Sequence, residues 1–369
     1  MKYNYMKPLI MLPGPTNIHE ETLRSMQKPI INHRGKEFHD LYSNLQEKLK
    51  YVFQTDNDIF ILSSSGTGGV EFGVINFIEK NDKVVVPVFG EFSERLYRAV
   101  LKICKQVIKI DYPYGTAPNY DDIKEIFDKY AQIDVFALVA NETSTGVTAW
   151  DMEKMLKVSK DKGAINIVDS ISILGGVDIP TDKWKIDVHI TGSQKCLASP
   201  PGLALVSVSK DAIDKYDKNT EVYSSYFDLK PYMDFHLKKE TPYTPAVPLF
   251  YALDTSLELI RNEGLYNVFN RHKKCSDLFY QHAHNIGLEI YPRNEDKSVT
   301  VIALKTPRGL KASEITKSIK ENFNIDIAAG FGKIKEDIIR IGCMGIINDD
   351  MVEYTMEKLS FTIEKMQKL

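Results

Sequence analysis

Thr191-Gly192-Ser193-Gln194-Lys195-Cys196-Leu197-Ala198-Ser199-Pro200-Pro201-Gly202 is a loop of small residues holding one lysine between two apolar segments. Ile186-Asp187-Val188-His189-Ile190 leads into it and Leu203-Ala204-Leu205-Val206-Ser207-Val208 follows; both read as buried strands. An ammonium placed there loses hydration, which disfavours its charged form. Lys195 is therefore expected to have a lowered pKa and a nucleophilic amine, as a Schiff-base lysine requires. The competing reading is a lysine that only caps a strand end, and other segments have to decide between the two.

Working back along the chain, Ala164-Ile165-Asn166-Ile167-Val168-Asp169-Ser170 is a β-branched strand ending in a carboxylate, about one strand–connection–strand unit before Lys195. Ligands of open α/β sheets bind at the carboxyl ends of the strands, so Asp169 and Lys195 are expected to face one crevice. Pyridoxal phosphate uses such a pair, a lysine for its aldehyde and an acid for its ring nitrogen. Asp169 as a plain helix cap is the alternative. Further upstream, Ser63-Ser64-Ser65-Gly66-Thr67-Gly68-Gly69 joins the strand Asp58–Leu62 to an apolar helix read from Val70 to Ile78. Small residues at a helix start let backbone N–H groups approach an anion. The run lacks the Gly-Lys-Ser/Thr ending of a nucleotide loop and the spacing of a dinucleotide fingerprint, so a smaller phosphate fits it better.

These segments, in this order, resemble the class V pyridoxal-phosphate aminotransferases, and most of all the alanine–glyoxylate and serine–pyruvate group. The likeness runs from Pro13-Gly14-Pro15-Thr16-Asn17 to Phe331-Gly332 and Arg340-Ile341-Gly342. It implies α/β architecture of fold type I, with a large domain built on a mostly parallel sheet and a small C-terminal α+β domain. It implies a homodimer with shared active sites, and pyridoxal 5′-phosphate as cofactor. Lys195 and Asp169 would be the catalytic pair: Lys195 bonded to the cofactor, Asp169 keeping the ring nitrogen protonated. Ser65, Gly66, Thr67 and Gln194 would hold the phosphate, Phe92 would stack on the ring, and Thr143 would lie near the ring hydroxyl. Thr244, with Tyr243 as companion, would reach the cofactor phosphate of the partner subunit. Arg340 would bind the substrate carboxylate, and Gly14 would line the substrate pocket.

The activity so implied moves an amino group from a small L-amino acid, alanine or serine, to a 2-oxo acid, glyoxylate or pyruvate. The alternatives are another class V enzyme (an aspartate or phosphonate aminotransferase, or a lyase of the cysteine desulfurase kind) and a catalytically silent scaffold. The desulfurase needs a mobile loop cysteine, and the loop at Ala328-Ala329-Gly330 has none. Val86-Pro87-Val88-Phe89-Gly90 ahead of Phe92 departs from the family pattern, as does Phe92 itself where some relatives use tryptophan. These departures touch the shape of the pocket and so the choice of substrate. Arg34 is a further anion-binding candidate with an equally good structural reading, and His189, in an apolar strand, reads as a core histidine.

The whole composition agrees with a globular enzyme. The chain has 369 residues, 43% hydrophobic and 26% charged, with a formal net charge of −3, which offers nucleic acid or anionic membrane no electrostatic reason to bind. No apolar run has transmembrane length and no signal-peptide pattern opens the chain. Cys104, Cys196, Cys275 and Cys343 are scattered without metal-ligand spacing, and a reducing cytoplasm is the expected compartment. Strands alternate with helices from Asp58 to Val208, the signature of a parallel sheet. Residues 219–243 read as irregular. The expected division is an N-terminal arm over 1–16, a large domain over 17–262 and a small domain over 263–369.

Overall fold

The computed structural model describes residues 8–219, 222 and 224–368. Its central sheet has seven strands: β1 (Asp58–Leu62), β2 (Lys83–Val88), β3 (Gln106–Asp111), β4 (Val135–Val139), β5 (Ile165–Asp169), β6 (Val188–Gly192) and β7 (Ala204–Val208). They lie in the order β1-β7-β6-β5-β4-β2-β3. Only β7 runs antiparallel to its neighbours; the other pairs are parallel. The interior strands are buried and mostly apolar because helices, not water, lie against them, with polar exceptions such as Asn166, His189 and Ser207, whereas the edge strand β3 is only half-buried. Pro87 has no N–H to give, and the ladder from β2 to β4 stops at Val85, before it is reached.

The helix after β1 packs backbone-close on the sheet. A Cβ at Gly69 would fall 3.0 Å from Ala204 Cβ and Ile190 Cγ2, and one at Gly73 would fall 2.9 Å from Ile190 Cδ1. This helix spans Gly66–Phe77. It therefore begins four residues before the expected Val70: the glycines that read as a loop form its first turn. The segment expected to be irregular contains the helix Leu229–His236, N-capped by Asp228. Residues 220, 221 and 223 of that stretch, like 1–7 of the expected arm, lie outside the described residues.

Buried apolar side chains fall into two main cores, one on the seven-stranded sheet and one on a second, antiparallel sheet of Val301–Lys305, Ile338–Gly342 and Ala328–Ala329. Helix Leu265–Asn285 touches both: Leu265 and Val268 pack on the first core, Cys275 and Phe279 on the second. Leu9–Ile10 pairs in parallel with Ile325–Asp326, and Leu9 and Met11 are buried in the second core. The expected arm is thus, from Leu9 on, part of the packing of the C-terminal unit. Among the described residues no helix is long and apolar enough to cross a membrane.

Candidate active site

The carboxyl ends of β4 and β5, the loop after β6 and the first turns of two helices enclose a cavity of about 530 Å³. Ser65, Gly66, Thr67, Phe92, Thr143, Asp169, Gln194 and Lys195 all line it. These eight are the residues expected around a cofactor within one chain, and the fold brings them together. Asp169 ends β5. One of its oxygens accepts from Ile171 N–H at 3.0 Å, and the loss of hydration pushes its pKa up to about 6. Lys195 follows β6, and burial pushes its pKa down to about 8. Its Nζ donates to the carbonyl of Pro13, and no carboxylate lies within ion-pair distance among the described residues. A neutral carbonyl cannot offset the cost of a buried ammonium, which is why the shift is downward.

The turn at Pro13-Gly14-Pro15 closes over this lysine. Gly14 stands at φ 104°, and a Cβ there would fall 2.4 Å from Lys195 Cδ and 2.5 Å from Nζ. Thr16 Oγ1 donates to the Lys195 carbonyl at 3.2 Å. Gly14, expected to line the substrate pocket, lies beside the amine, and a side chain there would displace it.

The phosphate candidates sit at the start of helix Gly66–Phe77. Ser65 is its N-cap residue, yet makes no side-chain cap bond, and the first turn carries no acid. Its free N–H groups and positive dipole end are uncompensated. Gln194 Oε1 is buried and bonded to nothing among the described residues, 2.8 Å from where a Cβ on Gly192 would lie. A glycine cradle and an unbalanced helix end fit an anionic group at this end of the cavity, toward which Gln194 would have to turn the N–H2 end of its amide. The free oxygen of Asp169 fits a protonated ring nitrogen, and Lys195 an aldehyde.

Arg340, in the strand Ile338–Gly342, is 8% exposed. It donates from Nε to Ala329 O at 2.9 Å and from Nη1 to Thr143 O at 3.0 Å. Burial lowers its pKa to about 10, and no carboxylate lies within ion-pair distance among the described residues. A buried guanidinium held only by carbonyls is poised for an anion from outside. It borders the cavity through Thr143 and does not line it.

Glu142 was not among the expected site residues. Fully buried, it accepts from Phe92 N–H (3.0 Å), Ser93 N–H (2.8 Å), Ser93 Oγ (2.9 Å), Ser144 N–H (3.1 Å) and Ser144 Oγ (2.6 Å). It caps helix Glu91–Leu101 from a distant part of the chain and fixes Phe92 at the cavity wall. A Cβ at Gly90 would meet its Cγ at 2.3 Å, so the glycine leaves its room. Asn141-Glu142-Thr143-Ser144 carries no local signal that the acid is buried, because two of its partners, Phe92 and Ser93, come from a distant part of the chain.

The remaining residues singled out in the sequence lie elsewhere. Thr244 is exposed, and Tyr243 stacks on Tyr226 at 4.8 Å and donates its O–H to Ser225 O, so neither enters this cavity within one chain. Arg34 is already paired: it donates to Glu240 Oε2 and Thr241 O, each at 2.7 Å, and to Pro242 O at 3.2 Å. His189 is a core histidine, bonded to Ser170 Oγ and Thr181 Oγ1 at 2.7 Å each, its pKa pushed down to about 3 by burial. Cys196, next to the lysine, is buried and its thiol is pushed up to about 12, which makes it inert.

A mostly parallel sheet with a desolvated lysine and a desolvated acid at the mouths of its strands is the arrangement that the resemblance to aminotransferases implies. The chain belongs to the class V aminotransferases, whose family model matches residues 16–335. It is 38% identical over 367 residues to an uncharacterized aminotransferase of Methanocaldococcus jannaschii, covering 99% of this chain and 95% of the relative. It is 32% identical over 350 residues to the serine–glyoxylate aminotransferase of Methylorubrum extorquens, covering 92% and 87%. The crystal structure of an alanine–glyoxylate aminotransferase from Nostoc sp. superimposes with a TM-score of 0.93 at 28% identity, over 97% of this chain and 95% of that one.

Proposed function

We infer that this aminotransferase uses pyridoxal 5′-phosphate to move an amino group from a small L-amino acid, alanine or serine, to glyoxylate or pyruvate. The observation that carries the reading is the pairing, in one cavity, of a buried amine and a buried carboxylate, with a buried and acid-free guanidinium at its edge. The names of relatives, serine–glyoxylate and alanine–glyoxylate aminotransferase, support the substrate class.

Ser65, Gly66, Thr67 and Gln194 would hold the cofactor phosphate, Phe92 would lie on its ring, Thr143 near its hydroxyl and Asp169 at its nitrogen, with Lys195 as covalent anchor. When bound, the cofactor supplies an aldehyde for the amino group and a ring that takes up electron density from the substrate Cα. Asp169 holds the proton on the ring nitrogen that makes the ring an acceptor. Lys195, as a free amine, would remove the Cα proton, and its lowered pKa keeps part of it in the basic form at neutral pH. Arg340 orients the donor by its carboxylate through a two-pronged hydrogen bond. Glu142 keeps Phe92 in place. Thr244 and Tyr243 would complete the phosphate site of a second copy in a homodimer. All four cysteines are buried and free, which leaves the desulfurase reading without an accessible thiol and suits a reducing cytoplasm.

The test is a half-reaction screen. Purified, cofactor-loaded protein is mixed with each amino acid in turn and the loss of its visible absorption band is followed. Alanine or serine is expected to discharge the band fastest; a donor with a long or acidic side chain doing so would overturn the substrate class. Lys195→Ala is expected to lose the band on washing, and retention of it would mean that another lysine is the anchor.

A further inference from the structure

Phe331 is a large apolar ring left 40% exposed, yet it is engaged on two sides. It stacks on Phe92 with centroids 6.1 Å apart and planes inclined by 30°. The guanidinium carbon of Arg340 lies 5.9 Å from its centre. The turn that presents it has little freedom. A Cβ at Gly330 would fall 2.0 Å from Ile334 O, and one at Gly332, at φ 57°, would fall 1.8 Å from Glu91 Oε1. Glu91 in turn accepts from Tyr114 O–H at 3.0 Å, and the Lys333 ammonium sits 3.8 Å from the centre of the Tyr114 ring. Backbone and neighbours thus fix a ring whose own burial is incomplete. Core packing does not account for that arrangement, because the second core closes without it.

We propose that Phe331 is a specificity-determining wall that limits the length of the donor's side chain. The proposal rests on Arg340 as the carboxylate site. A carboxylate seated on that guanidinium lies beside the Phe331 ring, so the donor's side chain shares the space next to the ring, and Phe92 braces the ring by stacking on it. A hydrogen, methyl or hydroxymethyl group on the donor Cα occupies little of this space. A propyl chain competes with the ring for it, and a charged side chain finds no polar partner on an aromatic face.

The experiment compares kcat/KM for L-norvaline and L-alanine, with glyoxylate as acceptor, in cofactor-loaded wild type, Phe331→Ala and Phe331→Leu. An apolar contact of one methylene discriminates by ~10- to 200-fold, so the norvaline-to-alanine ratio is expected to rise by at least about tenfold in Phe331→Ala and by less in Phe331→Leu. The ring's exposure makes both variants compatible with folding. A ratio that moves by less than about twofold, or rates for both donors that fall in the same proportion, would make the ring an inter-core brace and overturn the proposal. Wild type inactive toward both alanine and serine would overturn the donor class alone. The role of the ring is then read by calorimetry from the Kd of pentanoate against that of propanoate: Phe331→Ala is expected to shift the ratio toward pentanoate, and an unchanged ratio overturns the wall.

Discussion

Asp169 works against the stability of the protein that carries it. Its carboxyl titrates near 6 in the fold, against an ordinary 3.8, because burial penalises the charge. A raised carboxyl pKa means that the folded state holds the proton more tightly than the unfolded chain. The stabilisation is complete below about pH 4 and is lost as pH rises through 6. At pH 7 the ionised group costs on the order of 3 kcal/mol in cofactor-free protein. Cofactor-free Asp169→Asn is therefore expected to be more stable than wild type at pH 7 by about that amount and equal to it near pH 4, as urea unfolding at the two pH values will show. The loaded variant is expected to lose orders of magnitude in Cα-proton removal, because an amide cannot keep the ring nitrogen protonated. Arg340→Lys is expected to weaken amino-acid binding by roughly ten- to a hundredfold, since a charged hydrogen-bond partner contributes ~1.5–3 kcal/mol and lysine lacks the fork. Titration of the absorption band with the donor checks this, with cofactor binding unchanged. Lys195 and Asp169 were legible because each sits in a strand-to-loop junction whose flanks are apolar. Glu142 was not: its five donors come from Phe92, Ser93 and Ser144, and nothing local announces that Phe92 and Ser93 lie next to it.

At the scale of elements, the two helices that open onto the cavity are held by unlike means. Gly66–Phe77 has glycines where propensity asks for none, and they are tolerated because Gly69 and Gly73 let the helix sit against β6 and β7. That is why its start was misplaced: a glycine run reads as loop until the surface it packs on is known. Glu91–Leu101 takes its N-terminal cap from Glu142, some fifty residues later in the chain. Glu142→Gln preserves the shape but turns an N–H2 group toward N–H donors. It is expected to destabilise the fold by about 1–3 kcal/mol and to weaken cofactor affinity, because Phe92 loses its fixed position. Unfolding curves and a cofactor titration measure the two effects, and an unaltered affinity would separate the cap from the site. The strands around the site, Asp58–Leu62, Ile165–Asp169, Val188–Gly192 and Ala204–Val208, were legible to within about two residues, since buried strands are written as short apolar runs rich in β-branched residues. Helix Leu229–His236 was hidden by a composition rich in Tyr, Lys and Asp, whose order depends on contacts such as Tyr216 O–H to Asp228.

At the scale of the molecule, Thr244 stays exposed while the segment before it is clamped by Arg34 to Glu240, Thr241 and Pro242. A threonine held outward by so firm a clamp suits a site completed by a second copy. Lys195→Ala subunits mixed with Thr244→Ala subunits are expected to recover activity above either parent, because one site in each mixed dimer has both groups intact. Activity that never exceeds the parents would confine each site to one chain. The change of pattern after β7 was visible in the sequence, but the packing of Leu9 and Met11 in the second core was not, since a two-residue strand carries no period. That packing has a consequence for synthesis. On the ribosome, Leu9–Ile10 waits without its partner until Ile325–Asp326 has emerged, and the Pro13-Gly14-Pro15 turn that covers the lysine waits with it. These early residues then find their places only after residue 326 has been made, and a nascent chain holds its reactive amine uncovered until then.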